Sequence, residues 1–101
     1  MAYAIINIIS KEQAIAIAMN YIKNYSYEMP GGVWISDFKV AGTGAELVPI
    51  VRESYVLYPC WQVSLYLDKT YPGSVHGLLV LVWADSGEVF SCSNIAYSTP
   101  S

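Results

Sequence analysis

A thiol, an imidazole and a carboxylate are the groups that could do hydrolytic chemistry in this 101-residue chain. Cys60 and His76 are the thiol and imidazole of interest, and Asp68 could orient the histidine. If a hairpin closes through residues 69–74, Asp68 lies opposite His76, and Cys60 lies about eight residues further along, roughly 27 Å away at about 3.4 Å per residue. We therefore expect no catalytic dyad, and we interpret Asp68 and His76 as a cross-strand charge pair.

The remaining chemistry-bearing residues form no known motif. Two separated cysteines and one histidine do not make a zinc site, the glutamates show no paired-carboxylate spacing, and no glycine loop has the form that cradles phosphate. Cys60 and Cys92 could form a disulfide in an oxidising compartment, but we expect them to lie on strands separated by a third, and so to be unbonded. The chain is expected to be non-catalytic, without metal or cofactor.

Composition favours one compact domain over residues 1–101. Hydrophobic residues make up 54% of the chain and charged residues 13%, which argues against disorder. The formal net charge of −3, without a cationic cluster, excludes the usual footprint of nucleic-acid binding. The longest later apolar run, residues 78–84, is too short to cross a bilayer. Residues 1–9 lack the basic start of a signal peptide, so we expect an arm or edge strand there.

One helix is predicted over residues 10–25. Ser10 and Gln13 have the spacing of a capping box, and Ala14 and Ala18 lie on the apolar face that follows. Small residues on that face suit close packing against a sheet.

From Val33 onward the apolar residues alternate, which predicts strands. The predicted strands are residues 33–40, 46–58 (weakened by Pro49), 61–68, 77–84 and 88–92, with turns at 41–44, 69–74 and 85–87. The fold class is therefore α+β: one N-terminal helix packed on an antiparallel β-sheet meander over residues 33–92.

Two segments carry a family signature. Tyr58-Pro-Cys-Trp-Gln-Val63, followed by Val80-Leu-Val-Trp-Ala-Asp-Ser-Gly-Glu-Val89, resembles the PepSY domain, a cystatin-like module of peptidase propeptides and YpeB-type proteins. The helix start, Ser10-Lys-Glu-Gln-Ala14, is similar to the family's opening helix. Trp83 and Ser86 depart from the family pattern, and the stretch between the helix and Tyr58 is longer than in the minimal domain.

The resemblance implies a non-catalytic, extracytoplasmic or cell-surface module for protein interaction or regulation, such as a peptidase inhibitor or modulator. Asp85, Gly87 and Glu88 are also explained without function, since Asp and Gly are the residues that a tight turn prefers. The alternative is a small ligand-binding or enzymatic domain with a pocket lined by some of the nine tyrosines.

The strand pattern also predicts two sheet faces. With Trp61 and Trp83 taken to share the helix-covered face, that face comprises Trp61, Val63, Leu65, Leu79, Leu81, Trp83 and Val89. The opposite face then carries Tyr66, Leu78, Val80, Val82, Phe90 and Cys92. An apolar face of that size predicts a surface covered by a protein partner or by a second copy of the chain, with Tyr66, Leu78, Val80, Val82 and Phe90 as the partner-binding residues.

Overall fold

The structure, a computed structural model, describes residues 7–97 and has one helix packed on a four-stranded antiparallel sheet. The predicted α+β class with an antiparallel meander is confirmed. The larger sheet has the order β3-β4-β5-β6, and β1 and β2 form a separate hairpin. The elements are α1 Lys11–Tyr21, with a 3₁₀ turn at Ile22–Asn24, then β1 Tyr27–Met29, β2 Val33–Ile35, β3 Val40–Arg52, β4 Val56–Tyr71, β5 Val75–Trp83 and β6 Val89–Ala96.

The capping box predicted for α1 is present. The Ser10 hydroxyl accepts from the Gln13 amide at 3.1 Å, and the Ser10 amide donates to the Gln13 side chain at 2.8 Å. Ala14 and Ala18 are completely buried, so the helix backbone lies close to the sheet. The α-helix ends at Tyr21, short of the predicted Tyr25, because the chain tightens into the 3₁₀ turn. Of the predicted N-terminal arm, residues 1–6 lie outside the described residues.

The predicted turn at residues 41–44 is wrong, because those residues lie within β3. The turn falls instead at Glu53, Ser54 and Tyr55, all with positive φ, inside the stretch 46–58 that was predicted as one strand. Pairing with β4 explains why these residues are in a strand: Gly42 and Gly44 lie beside the ring of Tyr66 on β4, and neither glycine has a positive φ. Cross-strand packing thus outweighs the local flexibility of glycine.

The predicted faces of β5 are also wrong. Trp61 pairs with Val82, Val63 with Val80, and Leu65 with Leu78. Because residues directly opposite each other share a face, Leu78, Val80 and Val82 lie on the helix side, while Leu79, Leu81 and Trp83 lie on the other.

An irregularity in the β4–β5 hairpin causes the difference. Tyr66 pairs with Gly77 and Tyr71 pairs with Val75, so residues 67–70 of β4 are matched by His76 alone on β5. The predicted pairing of Asp68 with His76 is therefore one residue out of register. A slip of one residue transfers every side chain of the strand to the opposite face.

The core lies between α1 and the helix side of the sheet. Its members are buried apolar side chains from the helix, the 3₁₀ turn and the two central strands: Ala14, Ala18, Ile22, Val63, Leu65, Leu67, Tyr71, Val75, Leu78, Val80 and Val82. Among the described residues, no helix has the length and apolar character needed to cross a membrane.

Candidate functional site: an apolar hairpin arm

The residues predicted to bind a partner are divided between the two sheet faces. Leu78, Val80 and Val82 are completely buried beneath α1, so they cannot form an exposed surface; that part of the prediction is wrong for the register reason given above. Tyr66 and Phe90 lie on the uncovered face and are exposed. Cys92, opposite Val80, lies half-buried on the helix side.

The uncovered face is mixed in character. It carries the apolar or aromatic side chains of Tyr66, Leu79, Leu81, Trp83 and Phe90 together with four polar side chains: Gln62, Ser64, Ser91 and Ser93. This mixture is typical of an antiparallel sheet with one face in solvent. The continuous apolar surface that sequence reasoning predicted on this face is therefore interrupted by polar side chains, although Tyr66 and Phe90 are exposed on it.

An apolar surface is found instead on a projecting hairpin, which we call the arm, residues 49–59. The pairing of β4 with β5 ends at Cys60 and Trp83, whereas the β3–β4 ladder continues through residues 49–59 to the turn. Within the described chain, no third strand flanks the arm. The molecule is accordingly elongated, measuring 51 × 28 × 23 Å.

The side chains of the arm are unusually exposed for their type. Val51 and Leu57, which pair across the ribbon, are 59% and 60% exposed, and Tyr55 at the turn is 94% exposed. Leu47, at the base of the arm, and Val56 are also exposed. A shallow groove along the ribbon is lined by Leu47, Val48, Pro49, Leu57, Tyr58 and Pro59.

The contacts at the start of α1 explain why the helix does not cover the arm. Ile9 donates its amide to the carbonyl of Ala84 at 2.8 Å, and its carbonyl accepts from the Trp61 indole at 2.9 Å. This fixes the entry to α1 above Trp61. Leu47 lies opposite Trp61, so the apolar stripe of Val51 and Leu57 continues beyond the region that the helix covers.

An ion pair ties the arm to the body. Arg52 donates to the Asp85 carboxylate at 2.8 Å, and its guanidinium lies 3.9 Å from the ring centre of Tyr58 and 4.4 Å from that of Trp83. Trp83 in turn stacks on Phe90 at 4.1 Å. We call this group the clasp. Its hydrogen bond lowers the pKa of Asp85 and raises that of Arg52.

The residues considered for catalysis do not come together. Asp68 accepts a hydrogen bond from the Tyr71 hydroxyl at 3.1 Å, and His76 stacks on Tyr97 with ring centres 4.1 Å apart. The predicted charge pair of Asp68 and His76 is therefore replaced by two separate contacts. In residues 7–97 no three His, Cys, Asp or Glu side chains are grouped as metal ligands would be.

The cysteines follow the predicted strand order. β5 lies between β4 and β6, Cys60 pairs with Trp83, and Cys92 pairs with Val80, which places the thiols on opposite faces. Both thiols are free. Burial raises the pKa of Cys60, and it raises the pKa of Cys92 to about 11.

Several tyrosines are used in packing. Tyr25, Tyr27 and Tyr71 surround Phe38 with ring centres 5.2–6.0 Å apart, and the Tyr27 hydroxyl donates to the carbonyl of Pro72. These rings close the end of the core that lies away from the arm.

The chain matched no family model, no curated protein and no solved structure in comparisons with known proteins. The PepSY resemblance therefore stays a prediction. Sequence reasoning missed the arm, although a signal was present: the segments 48–51 and 56–59 are both β-rich, each contains a proline, and they flank the polar residues Arg52, Glu53 and Ser54.

Proposed function

We propose that this protein is a non-catalytic protein-interaction module that inserts its arm into an apolar cleft of a partner protein. The observation that carries the proposal is the exposure of Val51, Leu57 and Tyr55 on a ribbon that, among residues 7–97, consists of two strands without a third beside them. Contiguous apolar patches of more than a few hundred Å² are rare on isolated proteins and mark sites of interaction.

The charge of the arm indicates the kind of cleft. The exposed side chains along the ribbon are apolar, its one cation, Arg52, is paired with Asp85, and its one exposed carboxylate, Glu53, lies at the turn. Along the ribbon below the turn, a charged cleft would gain no ionic partner and would lose water on binding. An apolar cleft would bury Val51 and Leu57 at a gain of about 25 cal/mol per Å².

The clasp supports the same function by holding the arm in one orientation. A two-stranded hairpin is marginally stable alone in water, so contacts between its far end and the rest of the protein limit the conformations it samples. Arg52 provides such contacts to both Tyr58 and Trp83. An arm ordered before binding loses less conformational entropy when it enters the cleft.

The PepSY resemblance adds a class of partner to this proposal. It implies a peptidase regulated outside the cytoplasm, and the substrate cleft of a peptidase is a concave site that a ribbon can enter. Among candidate partners, extracytoplasmic peptidases are therefore the first to test.

The test places a photo-crosslinking phenylalanine derivative at position 55 in cells that produce the protein, and the same residue at position 33 as a control. Crosslinked proteins specific to position 55 are then purified and titrated with the wild type. The double substitution Val51→Ser and Leu57→Ser should raise the Kd at least tenfold. Val33→Ser, which removes a side chain of almost equal exposure on β2, should leave the Kd unchanged.

An unchanged Kd for the double variant would overturn the proposal, as would a partner that crosslinks equally well at both positions. Circular dichroism of both variants establishes that a loss of binding does not reflect unfolding.

A further inference from the structure

The two edges of the four-stranded sheet differ in their capacity to accept another strand. β3 and β6 are the edge strands. Unpaired N–H and C=O groups along an edge can template pairing with a further strand, and proteins commonly block such edges with proline, charge or bulges.

The β3 edge is blocked. Ala84 donates its amide to the carbonyl of Pro59 at 3.0 Å, so the backbone of Pro59 points toward β5. Pro49 is directly opposite Pro59, and its nitrogen, which carries no hydrogen, therefore lies on the open side of β3. Glu46 and Arg52 add charges to the same strand.

The β6 edge has less protection, since its one irregularity lies at Phe90, near the start of the strand. Residues 89–97 contain no proline and no charged side chain. At its two ends the strand is bonded inward: Trp83 donates to the Glu88 carbonyl and Tyr97 donates to the Ser74 carbonyl. Along a strand the backbone N–H and C=O groups point alternately toward and away from the neighbouring strand. Because Glu88 and Tyr97 point inward and Phe90 is an extra residue in the ladder, the backbone groups of Cys92 and Asn94 point to the open side.

We propose that β6 pairs antiparallel with β6 of a second copy of this chain, about a two-fold axis through Ser93. In this register Cys92 lies opposite Asn94 of the second copy, so outward-pointing backbone groups meet outward-pointing groups. Between Ser91 and Ile95, side chains on each face meet side chains on the same face, because the paired residue numbers sum to an even value. The product is an eight-stranded sheet with both helices on one side.

Two features favour a second copy of this chain as the partner of the β6 edge: the absence of charge on β6, and the use of both β6 edges when two copies pair. Each chain has a formal net charge of −3, but no charge lies on the edge, so identical β6 strands meet without ionic repulsion. Pairing about a two-fold axis uses both β6 edges, and in the described four-stranded sheets it leaves the β3 edges, which Pro49 blocks. The assembly therefore closes at two copies instead of growing into a filament.

The exposed aromatic residues at the ends of β6 add to the contact. A stable interface needs about 800 Å² from each partner, more than a short strand ladder provides. Phe90 and Tyr97 are 37% and 59% exposed beside this edge, so each can still bury that fraction of an aromatic surface of about 150–250 Å².

Light scattering over a range of concentrations tests the inference with three proteins. The wild type should reach twice the mass of the chain. Ser93→Lys and Ser93→Glu should each weaken self-association at least tenfold, because two like charges then lie opposite each other across the two-fold axis. An equimolar mixture of the two variants should dimerise again. Thr43→Lys, which adds a charge to an exposed position on β3, is the matched control and should dimerise like the wild type.

The inference is overturned if the wild type stays monomeric at millimolar concentration, if the mixture does not recover, or if mass grows without limit. A wild type that is monomeric but binds a different protein through β6 also overturns it. The inference does not rest on the arm: Val51→Ser with Leu57→Ser should dimerise normally, so failure of either proposal leaves the other intact.

Discussion

Arg52 lies 2.8 Å from Asp85 and thereby joins the tips of two hairpins that are 33 residues apart in the chain. Asp85 belongs to the β5–β6 turn, where its sequence context suggests only turn formation. The ion pair and the stacking of Arg52 on Tyr58 and Trp83 make that turn the anchor of the arm.

The clasp should make stability depend on pH. Arg52 lowers the pKa of Asp85 in the folded state below its ordinary value of 3.8. The carboxylate therefore stabilises the fold fully above pH 3.8, and the contribution is lost as the pH falls through the lower, folded-state pKa. Asp85→Asn should reduce the urea midpoint at pH 6, and the difference from the wild type should shrink toward pH 2.

Glu28→Gln is the control for that experiment, since Glu28 is an exposed carboxylate on β1. A difference between wild type and Asp85→Asn that stays constant from pH 6 to pH 2 would show that the ion pair is not responsible.

The register of β5 predicts unequal effects at two adjacent leucines. Leu78 is completely buried on the helix side, whereas Leu79 lies on the uncovered face and is partly exposed. Leu78→Ala should lower the free energy of unfolding by about 2–5 kcal/mol, and Leu79→Ala by distinctly less. Urea denaturation measures both. Equal losses, or a larger loss at Leu79, would contradict the register.

Two glycines of the sheet should respond oppositely to alanine. A Cβ at Gly77 would lie 3.1 Å from the Leu65 carbonyl oxygen and 3.2 Å from Ile95, so Gly77→Ala should cost about 1–3 kcal/mol. At Gly44 the nearest atom is 4.0 Å away, and Gly44→Ala should stabilise by about 0.4–1 kcal/mol through the unfolded state. Thermal unfolding compares them, and destabilisation at Gly44 would refute the account of that site.

The two thiols should be unreactive until the protein unfolds. Cys60 is fully buried, and burial raises the pKa of Cys92 to about 11, so little thiolate is present at pH 8. Mass spectrometry after iodoacetamide treatment should find almost no alkylation of the native protein and two additions in urea. If the protein is unfolded in urea without reductant and takes up fewer than two iodoacetamide additions, the two cysteines form a disulfide and the prediction is wrong.

Much of the fold could be predicted from local pattern. The capping box of Ser10 and Gln13 marks the start of α1, and alternation over residues 61–68 and 77–84 marks the central strands. Strand order followed from short connections, and it correctly separated Cys60 from Cys92 by β5. These features depend on neighbours within a few residues, so the sequence contains the physical information needed to find them.

The sequence alone determined that this chain has one capped helix and an antiparallel meander of apolar strands, because capping and alternation act over three to eight residues. Only the tertiary structure decided which face of β5 meets the helix, since the irregularity between Tyr66 and Tyr71 shifts the register by one residue. The tertiary structure also decided that α1 does not cover the arm, because the position of the helix depends on the contacts of Ile9 with Trp61 and Ala84. Those contacts join residues more than 50 positions apart, and no local pattern encodes them.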